Sequence, residues 1–318
     1  MRFGRRLLCL GAVLLGVAAL GLCLGSTSLW SLDSRMAGLI LLQIRLPRVA
    51  AGILAGAGLS ASGVLLQCVT ANPMAGPNII GINSGAGLGT IVMLSLFPTA
   101  GGWLSGGAFA GAFAAALVIV AISGRLGSSR TVIVLIGIAV TTLLNAAISF
   151  LSLLDEGVLA EYNHFTLGSL KGAAPGQLIV PGVLILGCFA VAMVMAPRLK
   201  ILCLGDSTAA ALGVRVKRLR LAAMACAAGC AAAVVSFAGL LGFVGLVVPH
   251  IARRLVGQDP GKMLPTAALT GGIVVVLADL LGRTLAAPSE LPVGILMSVV
   301  GAPYFLVLLV RRRGYADI

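Results

Sequence analysis

Apolar residues form long runs along this chain, and short polar gaps separate the runs. A helix needs about 20 mostly apolar residues to cross the hydrocarbon core of a bilayer. Asn83 and Ser84 interrupt the third run and the eighth run is short, but ten runs come close to this length. They predict ten transmembrane helices, over residues 7–29, 46–70, 79–97, 104–123, 131–154, 178–196, 219–239, 244–256, 263–285 and 291–310.

The composition places the whole chain in a bilayer. Of its 318 residues, 59% are hydrophobic and only 10% are charged, which is more apolar surface than a soluble domain of this size can bury. The 43 glycines suit close contact between helices, because small residues let two backbones approach each other in lipid. The sequence therefore predicts an all-α membrane protein with a single transmembrane domain over residues 1–318.

The basic residues give the orientation of the spans. When each Lys or Arg in or near the end of a span is counted with the adjoining gap, seventeen of the 22 fall on one side of the ten predicted spans and five on the other. Cytoplasmic loops of membrane proteins are enriched in Lys and Arg. This distribution predicts that both termini are cytoplasmic, and it makes the net charge of +13 an orientation signal rather than a nucleic-acid-binding surface.

One short stretch, LGDSTAAALGVRVKR at residues 204–218, has the features of a helix exposed to water. Asp206 is a suitable N-cap, alanines fill the body, and Gly213 stands where a helix commonly ends. The stretch belongs to the largest predicted cytoplasmic gap, residues 197–218. Two uses remain open at this point: its basic flank suits anionic lipid headgroups, and its alanine-rich face suits a cytoplasmic partner.

The sequence lacks the patterns of a catalytic or nucleotide-binding site. Its only histidines, His164 and His250, fall on opposite sides of the predicted membrane, so we expect no metal site. The nearest string to a phosphate-binding loop, GQDPGKM at residues 257–263, has the wrong glycine spacing and carries Met263 where a Ser or Thr should bind Mg²⁺. Any ATP hydrolysis that drives this chain must therefore occur on another chain.

Two further residue types have competing interpretations. The seven cysteines form no C-x-x-C pattern and six lie in apolar runs, which predicts free, buried thiols. Asp279 is the one acidic residue within a predicted span. An acid inside a membrane is a candidate proton relay, as an ion-coupled secondary transporter would need, but Asp279 can also pair with Arg283 one helical turn away.

Five strings in the sequence resemble a known family when taken together. The strings are LQIRLPRVAAGILAGAGLSASGVLLQ (42–67), NPMAGPNIIGINSGAG (72–87), LGDSTAAALGV (204–214), GFVGLVVPHIARRLVG (242–257) and ELPVGILMSVVGAPYFLVLL (290–309). The resemblance is to the FecCD-type permeases, which import iron-siderophores, haem and cobalamin as subunits of type II ABC importers, and it covers nearly the whole chain in order.

The resemblance implies a permease subunit with ten spans in a bacterial cytoplasmic membrane, which is not itself an enzyme. Two permease subunits, expected to be identical, would associate with two cytoplasmic ATPase subunits and one extracytoplasmic binding protein. No cofactor is expected on this chain, because ATP and Mg²⁺ would be bound by the ATPase. The helix at residues 204–214 would transmit ATP-driven closure to the permease through Leu204, Gly205, Asp206, Ala209, Leu212 and Gly213.

The resemblance also implies an outer docking site and a pathway. Arg45, Arg48 and Arg283 match arginines that pair with glutamates of the binding protein, although interfacial anchoring would also account for them. The pathway would run between two subunits along residues 131–154 and 291–310, with residues 155–177 over its mouth. The candidate lining residues, which interhelical hydrogen bonding would explain equally well, are Thr141, Thr142, Asn145 and Ser149, and the candidate gate residues are Ser128, Ser129 and Thr131.

The ligand implied by the resemblance is a bulky metal chelate. An iron-siderophore is the leading expectation, and haem or cobalamin stays open. The separate binding protein would supply the selectivity. A mostly apolar passage is then sufficient, which agrees with the scarcity of polar groups in the predicted spans.

Overall fold

A computed structural model describes residues 2–25, 33–77, 81–97, 104–126, 129–154, 156–287 and 289–313. Within these ranges every regular element is helical. The helices are α1 (Arg2–Cys23), α2 (Ser34–Leu39), α3 (Leu46–Thr70), α4 (Ile82–Leu96), α5 (Leu104–Leu126), α6 (Arg130–Ser152), α7 (Glu156–Leu167), α8 (Pro175–Leu202), α9 (Asp206–Ala211), α10 (Val216–Ala238), α11 (Val244–Val256), α12 (Pro260–Leu285) and α13 (Val293–Arg313).

Each of the ten predicted spans contains a helix, and the all-α membrane fold is confirmed. Among the described residues, seven helices are long and apolar enough to cross a bilayer: α1, α2–α3 as one unit, α5, α6, α8, α10 and α12. Helix α4 has 15 residues, and the apolar part of α13 covers Val293–Val307. Helix α11 has 13 residues and therefore extends only about 20 Å. Helix length by itself thus leaves the count of ten crossings unconfirmed.

The second span begins earlier than its apolar run suggested. It is helical from Ser34 to Thr70, and residues Ile40–Arg45 form a π-helical turn inside it. Pro47 lies two residues beyond this turn and lacks a backbone N–H, and in a regular α-helix its ring would clash with the carbonyl of Gln43. The wider π turn is a known way of accommodating such a local mismatch in a helix.

Helix α3 lies at the centre of the fold and packs against α8, α10, α11 and α12. Its glycines allow backbone-to-backbone contact with two of these neighbours. A Cβ atom added to Gly56 would lie 2.1 Å from the carbonyl oxygen of Gly271 on α12, and one added to Gly63 would lie 2.0 Å from that of Gly245 on α11. Such close approach is how helices gain dispersion contacts in lipid, where no hydrophobic effect drives them together.

Irregular backbone follows α3, in the segment that contains Pro73 and Pro77. Helix α3 ends at Thr70, and Ala71 adopts a left-handed conformation with φ of 46°. The turn is held by side chains: the N–H of Met74 donates to Oδ1 of Asn72 at 2.9 Å, and the N–H of Asn72 donates to Oγ1 of Thr70 at 3.3 Å. These bonds satisfy backbone groups that would be costly to bury unpaired.

The seven cysteines are free thiols, as predicted, but they are not all buried. Cys9 and Cys23 are exposed on the peripheral helix α1, and Cys203 is exposed just after the last turn of α8. The prediction of burial was wrong for Cys9 and Cys23 because an apolar run shows that a residue is in the membrane, not which face of its helix points to protein. It was also wrong for Cys203, which lies outside the apolar runs, in the turn where the chain leaves α8.

Candidate functional site

The segment between α8 and α10 forms the predicted short helix, with its start one residue away from expectation. Gly205, with φ of 117°, is the N-cap, and its carbonyl accepts the N–H of Ala209 at 2.9 Å. Asp206 is the first helical residue and caps no backbone N–H with its side chain. The N-cap prediction for Asp206 was therefore wrong, because glycine takes the unusual backbone conformation and the carboxylate is used elsewhere.

The end of α9 is the predicted one. Gly213 has φ of 78°, its N–H donates to Ala210 at 3.0 Å, and the N–H of Val214 donates to Ala209 at 3.0 Å. These two bonds form a Schellman motif, which requires a residue that tolerates a left-handed conformation. Glycines thus delimit a six-residue helix at both ends.

The Asp206 carboxylate connects α9 to two other helices. Nη2 of Arg220 on α10 donates to both of its oxygens, at 2.8 and 3.0 Å. The Arg220 side chain is only 2% exposed, so this carboxylate compensates a guanidinium that is largely withdrawn from solvent. Nη2 of Arg130, the first residue of α6, lies 3.5 Å from the same carboxylate. Asp206 therefore links α9 to α10 and to the start of α6.

The six predicted coupling residues divide into an outward and an inward set. Leu204 and Leu212, which flank α9, are 67% and 60% exposed. Ala209 is fully buried and faces the transmembrane helices. The arrangement presents two apolar side chains to the surroundings, while the alanine and the Asp206 ion pairs attach α9 to the rest of the fold.

The predicted gate segment lies beside this helix. Ser129 is the N-cap of α6, and its Oγ accepts the N–H of Val132 at 3.4 Å. Thr131 is exposed in the first turn, whereas Ser128 lies outside the described residues. Arg130 stands between Ser129 and Thr131, so its ion pair with Asp206 joins the gate segment to the coupling segment.

The predicted pathway residues on α6 do not all share one face. Thr142, Asn145 and Ser149 are exposed at helical spacing, and Oγ1 of Thr142 donates to the carbonyl of Ile138 at 2.9 Å. Thr141 instead points towards Gly81 at the start of α4, with its hydroxyl buried. The structure therefore separates Thr141 from the exposed polar stripe, and a role for the other three in a pathway stays a prediction.

The predicted docking arginines belong to an ion-pair cluster at the opposite end of the fold. Asp279 on α12 pairs with Arg48 of α3 at 2.9 Å and with Arg283, one turn along its own helix, at 3.1 Å. Arg48 also donates to Glu290 in the α12–α13 connection at 2.8 Å. The predicted pair between Asp279 and Arg283 is confirmed, and Asp279 is held between two guanidinium groups rather than free to relay a proton.

Two arginines of this region also bind the end of α1. Nη1 of Arg45 donates to the carbonyls of Leu22 and Cys23 at 2.9 and 2.7 Å, and Nη2 of Arg283 donates to that of Gly21 at 3.1 Å. The last carbonyls of a helix have no partner within the helix and carry the negative end of its dipole. These arginines therefore fix α1 to α3 and α12.

Burial limits how the arginines could meet another protein. Arg45, Arg48 and Arg283 are all buried, and each is bonded within the chain. Glu290 is the most accessible member of the cluster. Burial alone would raise the pKa of Glu290, but the hydrogen bond from Arg48 and the nearby positive charges hold it below its usual value. Docking of a binding protein at these arginines stays a prediction.

Sequence reasoning gave no role to three residues that complete these sites. In the sequence, Arg220 and Arg130 were only counted among the basic residues that orient the spans, and Glu290 was only the first residue of the string at 290–309. In the structure all three form ion pairs. Their partners lie 14, 76 and 242 residues away along the chain, so no local spacing links them. An arginine inside the first turns of an apolar span was the one available signal, because it requires a compensating acid.

These features together define a polytopic helical membrane protein with a short, ion-paired helix at one surface. The chain belongs to the FecCD transport family, whose model matches residues 7–311. It is 37% identical to the Fe(3+)-citrate import system permease protein YfmE of Bacillus subtilis (strain 168), over 95% of this chain and 92% of that protein. It is 38% identical to the hemin transport system permease protein HmuU of Yersinia pestis, over 98% and 96%.

A solved structure agrees with this assignment. The fold matches a structure described as an inward-facing conformation of a metal-chelate type ABC transporter, with a TM-score of 0.89 and 30% sequence identity. The match covers 97% of this chain and 99% of that one. The agreement extends over the whole arrangement of helices, which confirms the architecture expected from the five sequence strings.

Proposed function

We propose that this chain is the transmembrane permease of an ABC importer that carries a metal chelate into the cytoplasm. The observation that carries the proposal is α9, a helix that exposes Leu204 and Leu212 while Asp206 ties it to α10 and α6. Exposed apolar side chains on a helix that is held in place by ion pairs can pack against a partner protein. ATP and Mg²⁺ would be bound by that partner, a cytoplasmic ATPase, and this chain would not be an enzyme.

The ion pairs supply a route for mechanical coupling. Movement of the ATPase would displace α9 through the two leucines. The contact of Arg220 Nη2 with both carboxylate oxygens of Asp206 would make α9 and α10 move together. Through Arg130, the same displacement would reach the first turn of α6 beside Ser129 and Thr131. The proposed gate would thus respond to ATP binding without a separate transmitting element.

The pathway is proposed to lie between two copies of the chain. Helix α6 exposes the apolar side chains of Leu135, Ile138, Leu143 and Phe150. It also exposes a stripe of Thr142, Asn145 and Ser149, which suits a face turned towards a second subunit. The stripe carries no charge, so a bulky chelate could pass without being held tightly. We propose an iron-siderophore as the ligand, and haem and cobalamin are the other outcomes that a transport assay would distinguish.

The ion-pair cluster of Arg48, Asp279, Arg283 and Glu290 suggests how a binding protein would dock. A glutamate of the binding protein would compete with Glu290 for Arg48, because Glu290 is the accessible acid of the cluster, whereas Asp279 is enclosed by two arginines. Glu290→Gln is then expected to strengthen binding-protein association, and high salt is expected to slow association. Weaker or unchanged association of Glu290→Gln, measured by surface-immobilised binding kinetics, would speak against this exchange.

The function is tested by identifying what the chain binds and what it transports. The tagged chain is purified from its native membrane, and its companions are identified by mass spectrometry. A nucleotide-binding subunit is expected, lost in Leu204→Asp/Leu212→Asp but kept in the matched control Lys217→Gln, which alters an exposed residue just after α9. The reconstituted complex is then assayed for ATP-dependent uptake of radiolabelled ferric siderophore, haem and cobalamin.

Each result has a clear meaning. Recovery of the chain without an ATPase, under conditions that preserve other ABC complexes, would overturn the proposal. Uptake that persists without ATP and follows a proton gradient would direct attention to an ion-coupled mechanism. Uptake of one chelate alone would settle the ligand class.

A further inference from the structure

A cavity of about 610 Å³ opens between the end of α8 and the start of α10, beside the turn that terminates α9. Three arginines line it: Arg198 in the last turns of α8, and Arg215 and Arg218 at the beginning of α10. All three side chains are exposed. The cavity is distinct from the Asp206 ion pairs, which use Arg220 and Arg130 instead.

Among the residues that the structure describes, no acid compensates these three arginines. Within the part of the chain that the structure describes, none of them takes part in an ion pair or a side-chain hydrogen bond. Other basic residues in the neighbourhood do have partners, such as Lys200 with Asp259 at 3.0 Å. Three guanidinium groups around one cavity repel one another, and an anion within the cavity would relieve that repulsion.

The remaining wall of the cavity is apolar. Met195 and Ile201 from α8 and Leu219 from α10 contribute to it, and Met195 and Leu219 are largely buried against the protein. Leu212, one of the two leucines proposed to contact the ATPase, also lines the cavity, so a molecule bound there would lie beside that contact. These residues belong to the ends of two apolar helices, where hydrocarbon gives way to water. The cavity thus combines an apolar wall with a positively charged rim at the level of the membrane surface.

We propose that this cavity binds the headgroup of an anionic phospholipid. The phosphate would be held by Arg198, Arg215 and Arg218, and the first part of an acyl chain would lie along Met195 and Leu219. Basic pockets between transmembrane helices are suited to anionic headgroups, and arginine matches phosphate geometry with two parallel hydrogen bonds. The apolar wall favours a lipid over free phosphate, which would leave that wall without a contact. This site goes beyond the proposed transport function and does not depend on it.

A titration of the intact chain tests the site. The purified, delipidated chain is titrated with phosphatidylglycerol, with phosphatidylcholine and with inorganic phosphate, and bound lipid is counted by native mass spectrometry. We expect phosphatidylglycerol to bind in preference to phosphatidylcholine, with affinity that falls as salt is raised. At the contribution usual for one basic residue at a membrane surface, each arginine removed is expected to weaken binding by about fivefold.

Variants distinguish a built site from general basicity. The triple change Arg198→Gln/Arg215→Gln/Arg218→Gln is expected to weaken phosphatidylglycerol binding by roughly a hundredfold. The matched control Lys217→Gln removes one positive charge from the same turn of α10 but does not line the cavity, and it is expected to bind as the parent does. Arg218→Gln alone provides the measurement if the triple variant does not fold.

Three results would overturn the proposal. Equal binding of phosphatidylglycerol and phosphatidylcholine would show that charge recognition is absent. Equal weakening by Lys217→Gln and Arg218→Gln would show a diffuse surface attraction rather than a site. Displacement of the lipid by a modest excess of inorganic phosphate would show that the cavity takes the free anion.

Discussion

Removal of the Asp206 carboxylate is the sharpest test of how α9 is held. In Asp206→Asn the Arg220 guanidinium keeps one acceptor but loses the charge that compensates it. Breaking a fully buried ion pair by removing one partner costs about 3–5 kcal/mol. Only Arg220 is buried here, since the Asp206 side chain is 45% exposed and water can partly replace it. The free-energy cost of Asp206→Asn is therefore better compared with the loss of one charge-assisted hydrogen bond, about 1.5–3 kcal/mol.

This energy is large compared with what else holds α9. A helix of six residues is far shorter than the ~12–15 residues that an isolated helix needs to be even marginally stable in water, so its position depends on tertiary contacts. A loss of about 2 kcal/mol corresponds to roughly a thirtyfold change in the population of the attached state. We expect Asp206→Asn to transport roughly tenfold to thirtyfold less chelate per ATP hydrolysed.

The assay is uptake into proteoliposomes with simultaneous measurement of ATP hydrolysis. Ser207→Ala serves as the control, because Ser207 is an exposed neighbour on the same helix. A double-mutant cycle with Arg220→Gln isolates the pair: if the contact matters, the double variant is no worse than the worse single variant. Wild-type coupling in Asp206→Asn, or strictly additive effects of the two changes, would refute the reasoning.

Three further predictions follow from the packing and the charges. The hydrogen bond from Cys68, with the positive charge of Arg253 as a smaller contribution, lowers the pKa of the Cys203 thiol to about 7. Alkylation of Cys203, followed by peptide mass spectrometry, should therefore rise as the pH passes through about 7. The variant Cys68→Ala should move the midpoint of this rise to higher pH. Gly56→Ala should lower the melting temperature in detergent by roughly 5 °C or more, because the alanine methyl group would collide with the backbone carbonyl of Gly271. Gly11→Ala should leave the melting temperature unchanged, because a methyl group there would lie in open space. Asp279→Asn should reduce the yield of folded protein, measured by size-exclusion chromatography, since two buried arginines lose their shared acid; normal folding with lost proton-driven uptake would instead support a relay.

The sequence was informative where the physical signal is local. Transfer of apolar side chains from water to lipid depends on a contiguous stretch, so each predicted span contains a helix. The same holds for the glycine that ends α9, because a Schellman motif involves only six consecutive residues. The family resemblance was likewise carried by short strings, and the match over residues 7–311 confirms it.

Local signals were less reliable at the ends of elements and on helix faces. Asp206 was expected to cap α9, but an N-cap preference is worth only about 1 kcal/mol, less than the charged contacts that the carboxylate makes with Arg220. Thr141 and Thr142 are adjacent in sequence and equally polar, yet one faces α4 and the other faces outward. Uniformly apolar helices carry little periodicity to show which face meets protein and which meets lipid.

The chain by itself thus determined a polytopic helical membrane protein with a short, glycine-bounded helix at one surface. Only the tertiary structure decided which charges meet: Asp206 with Arg220 and Arg130, and Arg48 with Asp279 and Glu290. The physical reason is that a charge withdrawn from water must find a partner, and the nearest partner in space is set by helix packing rather than by distance along the chain. The same packing brings three other arginines together around one cavity, where no acid of the described residues pairs with them.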